Sequence, residues 1–311
     1  MSLTLIEASK LAANNGETKR ASVIAMFARE SAWLRSLVFK PIQGNAYAYN
    51  LEGSLPGIAF RGVNESYTES TGIINPKVEM LRIGGGDLDV DIAILKTQGE
   101  SVRAVHEQMK VKALAAEFTR VLIKGDSTSQ PREFDGLQTR ITGGQRIEAG
   151  ATDGGDPLSL GILDQAIDQC ANPTAIWLSK AMRRRFSAAL RSTTLGGFIA
   201  STRDEFGKPA FTYNGLPLLV PYEDNGGTEP LAFDEVGVGG ATAPATSLYV
   251  VGIGDGLVTG IENGTMEVRD LGELQTAPVK RTRVEWLTSI AIEHGRSAVR
   301  LRGISNAALV A

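Results

Sequence analysis

The segment at residues 44–83 constrains the fold of this chain more than any other part of the sequence. Residues 46–51 and 78–81 alternate in character with the two-residue period of β-strands. The middle of the segment, residues 62–76, is polar and contains glycine and proline, so the segment predicts one long β-hairpin. A two-stranded ribbon is only marginally stable by itself in water, so this hairpin needs support from another surface.

The composition indicates a globular protein that mixes helices and strands. The chain has 311 residues, 42% of them hydrophobic, which is enough to bury a sizeable core. Its 35 glycines and 12 prolines cluster between short apolar runs and indicate many turns. The sequence therefore predicts the α+β class.

Charge, cysteine content and hydropathy exclude several classes of protein. A net charge of −3 argues against a dedicated nucleic-acid binder, because such proteins neutralise phosphates with a basic patch. The single cysteine, Cys170, cannot form an internal disulfide, and its helical spacing from Leu163 and Ile167 predicts a buried small side chain. The N-terminal residues lack a signal-peptide pattern, and no apolar run has the length of a membrane span. We therefore expect a cytosolic protein without a membrane partner.

Two helical stretches are predicted near the N-terminus, at residues 3–13 and 17–38. The apolar residues of the second stretch recur at helical spacing and are Val23, Ile24, Phe27, Trp33, Leu34 and Leu37. An amphipathic arm results. Its apolar stripe packs either on its own domain or on a neighbouring subunit.

The strongest helix of the sequence is predicted at residues 99–124. Ser101 is its expected N-cap, Glu107 faces Lys110 three residues later, and Gly125 ends it. Its apolar stripe consists of Val102, Val105, Met109, Ala113, Ala116 and Leu122. At about 1.5 Å per residue this helix is close to 40 Å long. Before it, residues 83–95 read as an extended run, with a bend at Gly84–Gly86.

The second half of the chain predicts shorter elements. Helices are expected at 157–171 and from Lys180 onward, and strands at 175–178, 216–220, 247–252, 266–268, 283–292 and 298–303. The basic run Arg183–Arg185 has no interleaved aromatic residues. It therefore favours a solvated face, a subunit contact or helix-end charge over nucleic-acid binding.

The sequence lacks the usual signatures of catalysis and of metal or cofactor binding. Gly84–Gly86 is not followed by the lysine and Ser/Thr of a phosphate loop, and the glycines at 252–256 lack dinucleotide spacing. G-x-S-x-G, H-E-x-x-H and C-x-x-C are absent. The two histidines, His106 and His294, have no partner at ligand or triad spacing. We predict no catalytic residue, no metal ligand and no cofactor.

The order of these elements resembles the major capsid proteins of tailed bacteriophages of the Hong Kong ninety-seven type. FRGVNESYTESTGIINPKVEMLRIGGGDLDVD is similar to their extended E-loop, and SVRAVHEQMKVKALAAEFTRVLIKGDS to their spine helix. EFDGLQTRI is similar to the segment that follows that helix, and VEWLTSIAIEHGRSAVRLRGIS to the closing strands. The resemblance spans almost the whole chain.

The resemblance implies a division of the chain into the parts of the phage major capsid fold. These are an N-arm at 1–43, an E-loop at 44–83, a peripheral domain at 84–154 that includes the spine helix at 99–124, an axial domain at 155–265, and return strands at 266–311 that complete both domains. Many relatives begin with a long scaffolding segment that is later removed, whereas this sequence begins with the arm. Scaffolding is therefore expected as a separate protein, or the chain as a processed form.

The resemblance also implies a structural function rather than an enzymatic one. We expect a major capsid protein that assembles in the host cytoplasm, through pentamers and hexamers, into the icosahedral shell of a virion. The shell encloses double-stranded DNA without sequence-specific binding, and the expected partners are portal, scaffolding and decoration proteins. One branch of the family crosslinks an E-loop lysine. The only E-loop lysine here, Lys77, lies near the hairpin base, so no crosslink is expected.

Three groups of residues are the expected assembly contacts. They are Tyr47, Tyr49, Phe60, Arg61, Glu65, Tyr67 and Lys77 in the E-loop; Phe27, Trp33 and Leu34 in the N-arm; and Arg183, Arg184 and Arg185 in the axial domain.

Two other functions stay open at the level of sequence. An encapsulin-like bacterial compartment has a similar fold but loads cargo protein instead of DNA. An α/β metabolic enzyme with an unrecognised site is the alternative from another class. A nuclease-protected genome inside purified shells favours the phage capsid, a co-purifying enzyme favours the compartment, and a monomer or dimer at all concentrations favours the metabolic enzyme.

Overall fold

A computed structural model describes residues 2–150, 153–191, 197, 199–203, 209–221, 229–240 and 242–310. The helices are α1 Leu5–Asn14, α2 Thr18–Glu30, α3 Ala32–Ser36, α4 Ile92–Gln98, α5 Ser101–Lys124, α6 Leu137–Arg140, α7 Leu160–Gln169 and α8 Lys180–Ala189. The strands are β1 Leu3–Thr4, β2 Val38–Pro41, β3 Ala46–Ser54, β4 Ile73–Met80, β5 Arg82–Asp91, β6 Arg146–Glu148, β7 Ala175–Trp177, β8 Ile199–Arg203, β9 Pro209–Tyr213, β10 Leu216–Leu219, β11 Glu235–Val236, β12 Pro244–Val251, β13 Val258–Glu262, β14 Glu267–Glu273, β15 Val279–Ile292 and β16 Ala298–Ile304.

Two sheets organise the subunit, and the predicted α+β class is confirmed. The first sheet has the order β1–β2–β13–β15–β14, and β5 also pairs with β15. The second sheet has the order β6–β16–β12–β7–β10–β9–β8, and β11 pairs with β12. Strand β13 belongs to the first sheet with β15, although the predicted axial range 155–265 includes it. The chain therefore crosses between the sheets between β12 and β13, before residue 265.

An aromatic cluster forms the centre of the core beside the first sheet. The ring centroid of Trp286 lies 5.5 Å from that of Phe27, 5.1 Å from that of Phe118 and 4.9 Å from that of Phe39. These rings come from α2, α5, β2 and β15, so the cluster joins α2 and the long helix to the sheet. Aromatic rings bury large apolar areas and favour such offset or edge-on arrangements.

The long helix is present, but its surroundings differ from the sequence-based expectation. Glu100 occupies the N-cap position of α5, and Ser101 is its first helical residue. Strand β5 ends at Asp91, whose carboxylate accepts a hydrogen bond from the backbone N–H of Ala93 at 2.7 Å and caps α4. The expected extended run at 83–95 is therefore interrupted by a helix. The N-cap residue Asp91 was the local signal for the start of this helix, but the alternating pattern of residues 83–95 led to the prediction of a strand.

The predicted helix at 17–38 is two helices and the start of a strand. Ser31 has extended backbone angles, φ −130° and ψ 131°, and separates α2 from α3. Strand β2 then begins at Val38 and pairs in parallel with β13. The break turns the apolar side chains of α3 toward the second sheet, whereas those of α2 face the first.

Gly84–Gly86 lies inside strand β5 and is not a bend. The three glycines pair with Trp286, Glu285 and Val284 of β15. A Cβ atom on Gly85 would lie 2.2 Å from the carbonyl oxygen of Val284, so the close approach of the two strands requires glycine at this position. The stretch Gly84–Gly86 of the first sheet therefore carries no side chains.

Glu262 is a buried carboxyl group in β13. Its Oε2 accepts a hydrogen bond from Trp286 Nε1 at 2.9 Å, and its side chain is otherwise enclosed by the core. Burial, which penalises the charged form, raises the pKa of Glu262 to about 7, although the Trp286 bond and the charge of Arg20 oppose the shift.

Replacing Glu262 by glutamine is expected to stabilise the subunit at pH 8. Because the pKa of Glu262 is higher in the folded state than in the unfolded state, its contribution to folding stability is fully present below the unfolded pKa. This contribution is lost as the pH rises through 7 and the buried carboxyl ionises. Glutamine keeps the acceptor for Trp286 but carries no charge. Urea unfolding should show a gain on the order of 3 kcal/mol near pH 8 and a much smaller gain near pH 5.

The matched control is Glu69→Gln, which changes an exposed carboxyl of the hairpin tip. It should leave the free energy of unfolding at pH 8 within about 0.5 kcal/mol of the parent value. Equal stability of Glu262→Gln and the parent chain at both pH values would contradict a raised pKa at Glu262.

Candidate assembly surface

The predicted hairpin is present and projects as an exposed ribbon. Strands β3 and β4 pair from Ala46 with Met80 to Ser54 with Ile73, and residues 55–72 connect them. The large hydrophobic side chains exposed along this ribbon are Leu55, Ile58, Phe60, Val63, Tyr67, Ile73, Ile74, Val78 and Met80. Folded monomers rarely leave so many large apolar side chains exposed in one segment, so the ribbon has the character of a binding surface.

Three of the predicted E-loop residues contact one another at the hairpin tip. Arg61 Nη1 donates to the carbonyl oxygen of Glu65 at 3.1 Å, and the Arg61 guanidinium lies 5.4 Å from the centroid of the Tyr67 ring. Glu65 Oε2 accepts a hydrogen bond from the backbone N–H of Gly62 at 2.7 Å. Phe60, next to this cluster, is 104% exposed relative to the reference state. The tip therefore has an ordered polar turn beside a fully exposed aromatic ring.

Tyr47 and Tyr49, the predicted contacts at the hairpin base, bind to their own subunit. Tyr47 Oη donates to Glu293 Oε1 at 2.6 Å, and Tyr49 Oη donates to Glu79 Oε1 at 3.2 Å. Burial is the main cause that raises the pKa of Tyr49 to about 12. The hydroxyl groups of both tyrosines are thus bound within the subunit, and their contact with a neighbour stays a prediction. Lys77, opposite Tyr49 in the hairpin register, is exposed.

A groove with a volume of about 380 Å³ lies between the bare stretch Gly84–Gly86 and helix α5. Its walls include Leu114, Phe118 and Trp286, so much of its lining is apolar. A Cβ atom on Gly84 would have only the carbonyl oxygen of Trp286 near it, at 3.9 Å, so the strand leaves open space at this point. The Nζ atom of Lys110 reaches over this stretch and lies 2.7 Å from the position of a Cβ on Gly86.

The rim of the groove carries three cations, Arg82, Lys110 and Arg132. Glu117 and Glu133, which also line it, both pair with Arg120. Across the described part of the chain, Arg82, Lys110 and Arg132 have no ion-pair partner. An apolar segment that carries carboxylates complements such a groove.

The apolar stripe read from the sequence of the long helix lies mostly away from the core. Val105 is 53% exposed and Met109 54% exposed, and Ala113 is exposed as well. Leu122, the last residue of that stripe, is buried as predicted, and it belongs to the face that the core receives, whose other buried residues are Val111, Ala115, Phe118, Thr119, Val121 and Ile123. Glu107 accepts hydrogen bonds from Lys19 and Thr282. Its predicted pairing with Lys110 is replaced by these tertiary contacts.

The three predicted N-arm contacts are core residues of this subunit. Phe27, Trp33 and Leu34 have no exposed surface. The ring of Trp33 stacks on that of Trp177 at 4.7 Å between centroids and 11° between planes, and Trp33 Nε1 donates to the carbonyl oxygen of Leu219 at 3.0 Å. They therefore cannot contact a neighbour while the subunit stays folded, and that expectation is corrected.

The basic helix α8 places its three arginines differently. Arg183 and Arg184 are exposed, whereas Arg185 Nη2 donates to the Asn306 carbonyl oxygen at 3.1 Å and to Asn306 Oδ1 at 2.9 Å. Arg185 thus ties α8 to the C-terminal segment of its own chain. Arg183 and Arg184 stay available for contacts outside the subunit.

Within the described ranges no group of three or more His, Cys, Asp or Glu side chains is placed to hold a metal ion. Nor does any described helix have the length and apolar character needed to span a membrane. Cys170 is buried, as predicted, and burial raises the pKa of its thiol to about 11, which disfavours the nucleophilic thiolate.

Sequence reasoning missed the groove and the residues that hold the hairpin base. The signal for the groove was the run Gly84–Gly86 inside an alternating strand pattern, since glycine within a strand marks a close approach or an open face. The partners at the hairpin base, among them Arg140 and Glu293, had no local signal because they are distant in sequence from the hairpin residues that they bind.

No protein-family model and no curated protein matches the sequence. Solved structures match it over most of its length. The holo-SrpI encapsulin complex of Synechococcus elongatus has 17% identity and a TM-score of 0.63, with 90% of this chain and 89% of that chain covered. A structure of Mycobacterium phage Bobi has 14% identity and a TM-score of 0.57, with 90% of each chain covered.

A third structure, of the major capsid proteins and decoration proteins of phage G, has 11% identity and a TM-score of 0.53 and covers 86% of this chain and 87% of that chain. At such identities the likeness concerns the fold. The chain has the phage major capsid fold of the Hong Kong ninety-seven type, with the projecting hairpin and long helix expected from the sequence.

Proposed function

We propose that this chain is a major capsid protein, which assembles into the icosahedral shell of a phage head around double-stranded DNA. The observation that carries this proposal is the exposed apolar hairpin on a subunit with a capsid fold. In this proposal the protein is not an enzyme, acts in the virion capsid and assembles in the host cytoplasm. Portal, scaffolding and decoration proteins are its further partners.

The mechanism is geometric. A subunit that uses two different surfaces for its neighbours makes head-to-tail contacts, which close into rings of five or six when the rotation per subunit is right. The hairpin is one of these surfaces and rests on the adjacent copy, which supplies the support that a lone ribbon lacks. The apolar surface that each copy removes from water in this contact adds to the stability of the shell.

The groove beside Gly84–Gly86 is the surface that best complements the hairpin tip. The tip combines exposed apolar side chains with the exposed carboxylates Glu65 and Glu69, whereas the groove combines an apolar lining with unpaired cations. Phe60 is the side chain best placed to enter it, because its ring is fully exposed beside the ordered turn.

A pair of engineered cysteines tests this contact. Phe60→Cys combined with Ala113→Cys should produce disulfide-linked chains in assembled material and none in dissociated subunits, as read from a non-reducing gel. Cys170 is buried and does not compete. The matched control, Phe60→Cys with Gln165→Cys on the exposed face of α7, should stay unlinked. If Phe60→Cys and Ala113→Cys stay unlinked in shells, the groove is not the receiving surface.

The proposed function itself is tested by microscopy and nuclease protection. Expressed protein should form closed shells in negative stain, and particles from infected cells should contain a nuclease-protected genome. A monomer or dimer at all concentrations would contradict any shell function.

An encapsulin-like compartment is the second candidate, and the likeness to the Synechococcus elongatus encapsulin complex favours it. In that case native shells contain a cargo enzyme and no protected DNA. The contents of shells isolated from the native source therefore decide between the two functions.

Arg183 and Arg184 are proposed as contacts between subunits in the ring, where a guanidinium can fork onto a carboxylate of the neighbour. Replacing both by glutamine should weaken assembly, as measured by light scattering against protein concentration. Intact assembly combined with loss of the enclosed genome would assign these arginines to DNA instead.

A further inference from the structure

We infer that two polar clusters at the hairpin base act as latches that fix the direction of the hairpin before a neighbour binds. The first latch consists of Lys40, Tyr47, Asp255 and Glu293, and the second of Tyr49, Glu79 and Arg140. The role of the latches in assembly rests on the proposed shell function. Their effect on the direction of the hairpin does not.

The first latch holds strand β3. Lys40 Nζ donates to Tyr47 Oη at 2.8 Å and to Asp255 Oδ1 at 3.1 Å. The other oxygen of Glu293, Oε2, accepts from the backbone N–H of Gly256 at 2.7 Å, so this carboxylate is itself fixed to the turn between the two sheets. Tyr47 therefore binds a preformed acceptor rather than a mobile side chain.

The second latch holds strand β4. Glu79 forms a two-pronged ion pair with the guanidinium of Arg140, and the side chains are only 14% and 13% exposed. Arg140 Nε also donates to the carbonyl oxygen of Asp135 at 2.6 Å. A bidentate pair of this kind specifies orientation as well as proximity, because both groups are planar.

The apolar support between the latches is small. Leu81, Ile261 and Ala291 form a separate buried cluster, against which the rings of Tyr47 and Tyr49 pack. Every residue of the ribbon from 52 to 78 is exposed. The direction of the ribbon therefore depends on the two polar latches, one on each of its strands.

A preset direction of the hairpin matters for assembly because a mobile segment loses conformational entropy when it becomes ordered, and this loss weakens binding. A hairpin that already points at its receiving surface loses less conformational freedom when a neighbour docks. Closure of a shell also requires the same rotation at every contact. Tyr47, Glu79, Arg140 and Glu293 are on this view positioning residues, which act through the hairpin.

Pulsed electron-paramagnetic-resonance distances in the full chain test the inference. Spin labels at Val63→Cys on the tip and Lys112→Cys on α5 are both at exposed positions, and buried Cys170 escapes labelling. Free subunits with intact latches should give one narrow distance distribution. Tyr47→Phe combined with Arg140→Gln should give a broad distribution while the circular dichroism of the subunit stays that of the parent chain, and shells of mixed size or no shells.

Controls separate positioning from general stability. Asn50→Ala changes an exposed hairpin residue outside the latches and should keep the distribution narrow. The exchange Glu79→Arg with Arg140→Glu should restore the narrow distribution that either single change loses. A narrow distribution in the doubly unlatched variant overturns the inference, and so does a broad one in the parent chain. Failure of the parent chain to form shells would overturn the proposed function while leaving the distance result valid.

Discussion

Replacing residues 55–72 by an Asn-Gly turn is expected to leave a folded subunit that no longer closes shells. The deletion ends at the last strand pair, Ser54 with Ile73, and Asn-Gly suits the tight turn that must join them. It removes exposed residues only, so the melting temperature of the subunit should stay within a few degrees of the parent value. Electron microscopy should show rings, fragments or free subunits in place of shells.

The matched control is a chain that keeps the hairpin length but carries Thr68→Ala at an exposed polar position of the tip. It should assemble as the parent chain does. Limited proteolysis gives a second measurement, since the tip should be cleaved in free subunits and protected in shells. Normal shells from the shortened chain, or equal protection of the tip in both states, would refute the role proposed for the hairpin.

Trp33→Ala is expected to cause a large loss of subunit stability. The change removes a fully buried ring, its stacking on Trp177, and the donor for the Leu219 carbonyl oxygen. Large-to-alanine changes of aromatic core residues cost about 3–5 kcal/mol, since the cavity closes only partly. Urea unfolding of subunits should show a loss of this size, and soluble expression should fall.

Leu11→Ala provides the control, because Leu11 also belongs to the N-terminal helices but is 52% exposed. It should change the unfolding free energy by less than about 1 kcal/mol. A neighbour contact at Trp33 predicts the reverse pattern, with normal subunit stability and impaired assembly. That result would reinstate the arm contact expected from the sequence.

Local patterns in the sequence determined the elements of this protein. The alternation at 46–51 and 78–81 specified the hairpin, and the helical spacing of apolar residues specified α5 nearly to its ends. The helical position of Cys170 among apolar neighbours indicated its burial. Each pattern reflects the period of one backbone conformation, two residues per repeat in strands and about 3.6 per turn in helices, so a short window of sequence contains it.

Only the tertiary structure decided which surface of each element is used. Helix α5 has apolar residues on two faces, and the face with Phe118 was buried rather than the face with Met109 because the aromatic cluster around Trp286 packs there. Trp33 became a core residue because the break at Ser31 directs α3 onto the second sheet. The latches join residues as far apart as Tyr47 and Glu293. Contacts of this kind depend on which elements meet in space, and the period of a single element contains no information about its partner.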